Sequence, residues 1–275
     1  MQFFVTTQGI ARAARDAPDV LELLLPEARD LAPYLHRLAE LAEGEVHARV
    51  ALADVRLLPP IARPGCFVIA GLNYRAHCAE IGRPVPDRLL FGFAPGSAAH
   101  GAGAPVLLPP AAPGEVDYEG EIAIVIGRRA ERVSAAEAWD VVAGLAPLND
   151  VSARDVQAAG TREAVGQAKG FATFKPFGPC LATLEAFADR NDIGIRTWVN
   201  GELRQAGRSS DMVFSLPAIV EAVTAVRTLE PGDVICTGTP GGVAHGGAYP
   251  YLVAGDVVEI EVEGLPRLTS PFAEA

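Results

Sequence analysis

The stretch Asp117-Tyr118-Glu119-Gly120-Glu121-Ile122-Ala123-Ile124-Val125-Ile126-Gly127 decides how the rest of the chain is read. β-Branched residues dominate it and a glycine ends it, which is the pattern of a strand. Side chains alternate along a strand, so Glu119 and Glu121 are expected on one face with Ala123 and Val125. Ile122, Ile124 and Ile126 then line the other. Two carboxylates side by side on a core-forming element repel and raise each other's pKa unless a cation lies between them. A hard divalent metal bound through oxygen resolves that conflict. A third acid arrives in Asn149-Asp150-Val151-Ser152-Ala153-Arg154-Asp155-Val156-Gln157. One helix is expected in between, over residues 135–142, opened by a capping box from Ser134 to Glu137. Glu119, Glu121 and Asp150 with water make a magnesium or manganese site, with calcium a further oxygen-seeking candidate. The alternative for Asp150 is a cap on a helix through residues 152–157.

If that segment is helical, Arg154 and Gln157 share a face and offer a guanidinium fork and an amide to an anionic oxygen. Lys169 could add a third donor, although a lone lysine is usually a solvated surface charge. Upstream, Cys66 to Gly71 reads as a short buried strand. The segment after it places His77 and Glu80 three apart, close enough to pair on a helix. A carboxylate that orients an imidazole makes a usable general base; spacing alone fits a surface His–Glu pair at least as well. Residues 237–242 form a glycine-rich loop with exposed amides and the hydroxyls of Thr237 and Thr239, able to grip a carboxylate. It carries neither the Lys-Ser/Thr of a Walker loop nor a GxGxxG opening a helix, so a nucleotide cofactor is not expected.

The chain has 275 residues, 49% of them hydrophobic, enough for one large unit and one small. Its formal charge is −11 and no Lys/Arg run stands out, which argues against a nucleic-acid partner. Cys66, Cys78, Cys180 and Cys236 form no CxxC pair and are expected as buried thiols of a cytoplasmic protein. The N-terminus lacks the pattern of a signal peptide. Residues 89–114 hold no charge, yet five prolines and five glycines interrupt them, so a loop region is expected there rather than a membrane span. Residues 1–62 are expected to form a small α+β domain, with a helix over residues 27–42 carrying Leu31, Leu38 and Leu41 on one face. Pro33 either breaks that helix or marks its start. Residues 59–64 read as a linker, and residues 63–275 as the main domain. There, Asn200-Gly201 between strand-like runs signals a hairpin. Ser215 and Pro217 open a helix to about Val226, and the Gly-Asp pairs at 232 and 255 each feed a strand.

In order along residues 65–272, these segments resemble the fumarylacetoacetate hydrolase family. The resemblance is carried by Gly71-Leu72-Asn73-Tyr74-Arg75-Ala76-His77, Asp117-Tyr118-Glu119-Gly120-Glu121, Asn149-Asp150-Val151-Ser152-Ala153-Arg154-Asp155, Asn200-Gly201 and Gly232-Asp233-Val234-Ile235-Cys236-Thr237-Gly238-Thr239-Pro240. It implies a β-rich α+β fold, a mixed β-roll or sandwich, usually as a homodimer. It implies magnesium or manganese on Glu119, Glu121 and Asp150, and a His77–Glu80 dyad on a mobile lid that activates water. Arg154, Gln157 and Lys169 match groups that hold substrate oxygens, and Thr239 one that contacts a substrate carboxylate. The implied substrate is a small 2-oxo acid. The leading expectation is hydrolysis of a carbon–carbon bond in a 2-oxo or 2,4-dioxo acid such as an acylpyruvate or fumarylpyruvate. Decarboxylation or isomerisation on the same metal–enolate site is the alternative, and an inactive binding relative is a third. Where family members often carry Lys-Pro, this chain reads Phe91-Gly92-Phe93-Ala94-Pro95, which points to a bulkier or more apolar substrate end.

Overall fold

Ile122, Ile124 and Ile126 are fully buried on one face of the strand Gly120–Ile126, and Ala123 and Val125 on the other. Each fully buried isoleucine contributes on the order of 1.5–3 kcal/mol. A one-residue slip would drive Glu121 into the isoleucine layer, so the register is firmly set. The computed structural model describes residues 1–17, 19–112 and 114–275. In it this strand lies inside an eleven-stranded mixed sheet. Val142–Asn149 pairs antiparallel on one side and Val234–Cys236 on the other. Beyond Val234–Cys236 come Cys66–Gly71, parallel to it, and the edge strand Leu90–Pro95.

The isoleucine face packs against a second, five-stranded sheet. Its order is Glu202–Arg208, Gly194–Val199, Val257–Val262, Leu268–Glu274 and Val106–Leu108. Val258, Ile260 and Val262 meet the isoleucines in one core. The fold is the β-rich α+β layering expected from the sequence. On the back of the large sheet, Ala123 and Val125 meet Phe3, Val5, Leu31, Leu35 and Leu38. The first strand, Gln2–Thr6, pairs with Cys180–Ala182, so the N-terminal strands extend the same sheet.

Local structure departs from the sequence reading at several places. The helix expected over residues 27–42 begins only at Ala32, as a 3-10 turn Ala32–Arg37 with Pro33 in its first turn, followed by the helix Leu38–Ala42. Proline cannot accept the interior of a helix but fits its start. The helix of residues 135–142 shrinks to Ala138–Val141. Ser134 and Glu137 do hydrogen-bond, but just ahead of it. The uncharged region 89–114 is not all loop: Leu90–Pro95, Ala99–His100 and Val106–Leu108 are strands, while Pro113 lies outside the described residues. Among the described residues, no helix is long and apolar enough to cross a membrane. The Asn200-Gly201 hairpin forms as expected, both residues at positive φ, and Ser215 caps the helix Leu216–Thr224.

Candidate metal and substrate site

The strand expected over residues 117–127 is interrupted. Val116–Asp117 pairs with Ser152–Ala153, and Gly120–Ile126 starts afresh, leaving Tyr118 and Glu119 between them. Alternation therefore does not set the direction of Glu119. Its surroundings do. The Asp150 amide donates to the Glu119 carbonyl at 2.9 Å, and the Glu119 amide donates to Asn149 Oδ1 at 3.2 Å. These bonds tie the end of Val142–Asn149 to the break and bring three carboxylates into one buried cluster.

Each acid has a different partner set. Lys169 Nζ bridges Glu119 Oε2 at 2.6 Å and Asp150 Oδ2 at 2.8 Å. Arg154 spans Glu119 Oε1 at 2.6 Å and Asp117 Oδ2 at 2.9 Å. Glu121 Oε2 accepts from the Gly238 amide at 2.9 Å, but Glu121 Oε1 is buried without a hydrogen-bond partner among the described residues. Burial, then Asp150 and Glu119, push the Glu121 carboxyl well above its ordinary range. Burial acts the same way on Glu119, but Lys169, Arg154 and His77 outweigh it and hold that carboxyl below the usual range. A fully buried carboxylate with a free lone pair, beside a second buried carboxylate, is a site that a divalent cation would complete. Oxygen of Glu121, oxygen of Asp150 and sulfur of Cys236 all lie within 4.8 Å of one another.

The segment after Asp150 is not a helix from residue 151. Ser152–Ala153 is a short strand and the helix is Arg154–Gln157. Asp150 caps nothing, because its carboxylate faces the lysines. Arg154 and Gln157 do share a face, and Arg154 donates to Gln157 Oε1 at 2.8 Å. Thr239 lies in the loop after Val234–Cys236. Its hydroxyl donates to the Gly120 carbonyl at 2.9 Å and accepts from Gln205 at 2.7 Å. His77 and Glu80 lie on the helix Arg75–Glu80, with Nδ1 3.3 Å from Glu80 Oε2. Glu80 Oε1 is fixed by the Gly242 amide at 2.9 Å. The pair is largely buried rather than on the open surface. Phe93 is on the edge strand, its ring under Arg227 and against the edge of Phe91.

Four neighbours of this cluster were given no role by sequence reasoning. Lys175 is fully buried, with Nζ 2.7 Å from Asp150 Oδ1, and it donates to the Lys169 carbonyl. Its only sequence signal is a lysine enclosed by Phe171, Phe174, Pro176 and Phe177. Asp117 pairs with Arg154 and accepts from the Ala244 and His245 amides. The His245 imidazole lies in the field of Arg154, Asp117, Glu119 and His77, and burial, then Arg154, lower its pKa. Cys236 was expected only as a buried thiol; all four cysteines are buried and free.

Two packed sheets thus enclose a buried acidic cluster at a strand break. Residues 66–273 match the fumarylacetoacetate hydrolase C-terminal family, and the chain belongs to that family. A Bacillus subtilis oxaloacetate tautomerase is 37% identical over 225 residues, 80% of this chain and 74% of the relative. The solved 5-carboxymethyl-2-hydroxymuconate delta-isomerase of Mycobacterium smegmatis superposes with a TM-score of 0.81 at 36% identity, covering 100% of this chain and 99% of that one. A maleylpyruvate hydrolase from Sphingobium superposes with a TM-score of 0.81 at 29% identity, covering both chains fully. The family's named relatives are thus enzymes of three reaction types.

Proposed function

We propose that this chain is a divalent-metal-dependent enzyme that interconverts the enol and keto forms of a small 2-oxo acid. The observation that carries the reading is the buried cluster of Glu119, Glu121 and Asp150, in which one Glu121 oxygen has no partner. Glu121 and Asp150, with Glu119 as the third carboxylate, would hold magnesium or manganese. Such an ion, when bound, supplies Lewis-acid polarisation of the substrate's carboxylate and adjacent carbonyl.

The remaining work falls to this chain's own side chains. His77, oriented through Nδ1 by Glu80, takes the enol hydroxyl proton and returns a proton to the neighbouring carbon, so no atom is gained or lost. Lys169 and Arg154 keep positive charge beside the oxygen on which negative charge develops. Gln157 is assigned to substrate oxygens, and the loop that carries Thr239 to the substrate carboxylate. The tautomerase and isomerase relatives, at 37% and 36% identity against 29% for the hydrolase, support this order of readings. A cytoplasmic homodimer is the proposed working form, which sedimentation checks.

Hydrolysis of a carbon–carbon bond in a 2,4-dioxo acid is the second reading. The His77–Glu80 pair favours it, because a base that accepts an enol proton also accepts one from water. A panel of 2-oxo diacids and acylpyruvates with magnesium or manganese, products identified, separates the two. Isomerisation conserves the substrate's atoms, hydrolysis yields two acids, and decarboxylation releases carbon dioxide. Absence of metal-dependent turnover across the panel would overturn the proposal.

A further inference from the structure

The cations beside the acidic cluster are committed to its own side chains. Arg154 bonds Asp117, Glu119 and Gln157, Lys169 bonds Glu119 and Asp150, and Lys175 pairs with Asp150. His245 is different. Its ring makes no hydrogen bond among the described residues and is exposed. Yet it lies near enough to Arg154, Asp117, Glu119 and His77 to feel the charge of each.

The position of His245 is firmly built. Val243 and Ala244 are buried and anchor the 3-10 turn Ala244–Gly246, which Gly247 closes at φ +83. The Asp117 carboxylate accepts from the Ala244 amide at 2.9 Å and from the His245 amide at 3.0 Å, while it also holds Arg154. Gly246 lies against Glu80, and a Cβ there would meet Glu80 Cγ at 2.5 Å. One turn therefore touches both the partner of Arg154 and the partner of His77. A side chain carried on so constrained a turn is held ready for a ligand. Exposure rises from Glu121 and Asp150, fully buried, through His77 at 7%, to His245. A small acid whose reacting end lies among the carboxylates and His77 thus has its other end near His245. An imidazole carries at least one N–H donor in either protonation state.

We propose that His245 reads the far end of the substrate, donating a hydrogen bond to the distal carboxylate of a 2-oxo diacid. The inference rests on the function proposed above and adds a substrate class to it, diacids over monoacids. Phe93, from which a more apolar end was expected, stacks with Arg227 and Phe91 on the edge strand.

The test is calorimetric titration of the manganese-loaded full-length chain with malate and with lactate. Both are 2-hydroxy acids that cannot tautomerise, and they differ only in the far carboxylate. The natural chain should bind malate more tightly. His245→Ala should weaken malate binding about 10- to 100-fold, the range for one hydrogen bond to a charged group, and leave lactate binding unchanged. A merely structural role would weaken both ligands together. Equal binding of the two by the natural chain, a preference that survives in His245→Ala, or parallel weakening of both in that variant overturns the inference. So does the absence of manganese-dependent binding of either ligand. In each case metal-dependent turnover of a 2-oxo acid would leave the proposed function standing, and its absence would remove that reading as well.

Discussion

Glu121 and Lys175 are the two residues on which the cluster's charge balance turns. The buried acids Asp117, Glu119, Glu121 and Asp150 face the buried cations Arg154, Lys169 and Lys175. One acid is in excess, and Glu121, with no cation bonded to it among the described residues, is the one whose carboxyl burial pushes upward. Removing one partner of a buried ion pair costs about 3–5 kcal/mol. Lys175→Met should therefore destabilise the metal-free protein by about 3 kcal/mol in urea unfolding, at the low end because Lys169 still pairs with Asp150. An unchanged midpoint would show that Lys175 only fills space. His77→Ala should lower turnover by about 10²–10⁴-fold while leaving manganese affinity intact, since His77 moves protons in this account and holds no metal. Isothermal titration beside steady-state kinetics separates those two effects.

At the level of elements, the helix Arg75–Glu80 is joined to the loop after Val234–Cys236 by the bond from the Gly242 amide to Glu80. Gly242 has φ +106, and a Cβ there would collide with the Arg204 carbonyl. Gly242→Ala should loosen Glu80, and through it His77, reducing kcat more than metal affinity. The short parallel pairing of Ala99–His100 with Lys175–Pro176 carries the buried lysine. Burial lowers the His100 pKa below 6.5, against the pull of hydrogen bonds to Pro105 and Ala104. The unfolded chain then binds that proton more readily. Stability from this group is full above about pH 6.5 and falls as pH drops through that value. His100→Gln should flatten that acid-side slope in denaturant titrations at stepped pH.

These elements also show what sequence could reveal. The period-two pattern of residues 120–126 made the strand and its two faces legible, and the three acids stood in recognisable segments. The break at Tyr118-Glu119 was not legible, because it depends on bonds from Asn149 and Asp150 that arrive from another strand. Lys175 and Cys236 were missed for a related reason. Their neighbours in space, Asp150 and Glu121, are distant in sequence, and local pattern assigns a lone lysine to the surface and a lone cysteine to the core.

For the molecule as a whole, the acidic cluster sits at the end of two central strands, and both layers of core hold it in place. Glu121 is the acid in excess over the cluster's buried cations, so a bound divalent ion should stabilise the entire fold. At a manganese concentration 100 times the dissociation constant, the linkage is worth about 2.7 kcal/mol. Thermal unfolding with and without manganese should register that gain in the natural chain and lose it in Glu121→Gln. The most direct test of the central claim is the ultraviolet decay of an enolised 2-oxo diacid, followed with manganese and then with excess chelator. Rapid metal-dependent conversion to the keto form, abolished by chelator and by Asp150→Asn, is the predicted result. Conversion at the same rate in chelator, or in Asp150→Asn, would contradict the account.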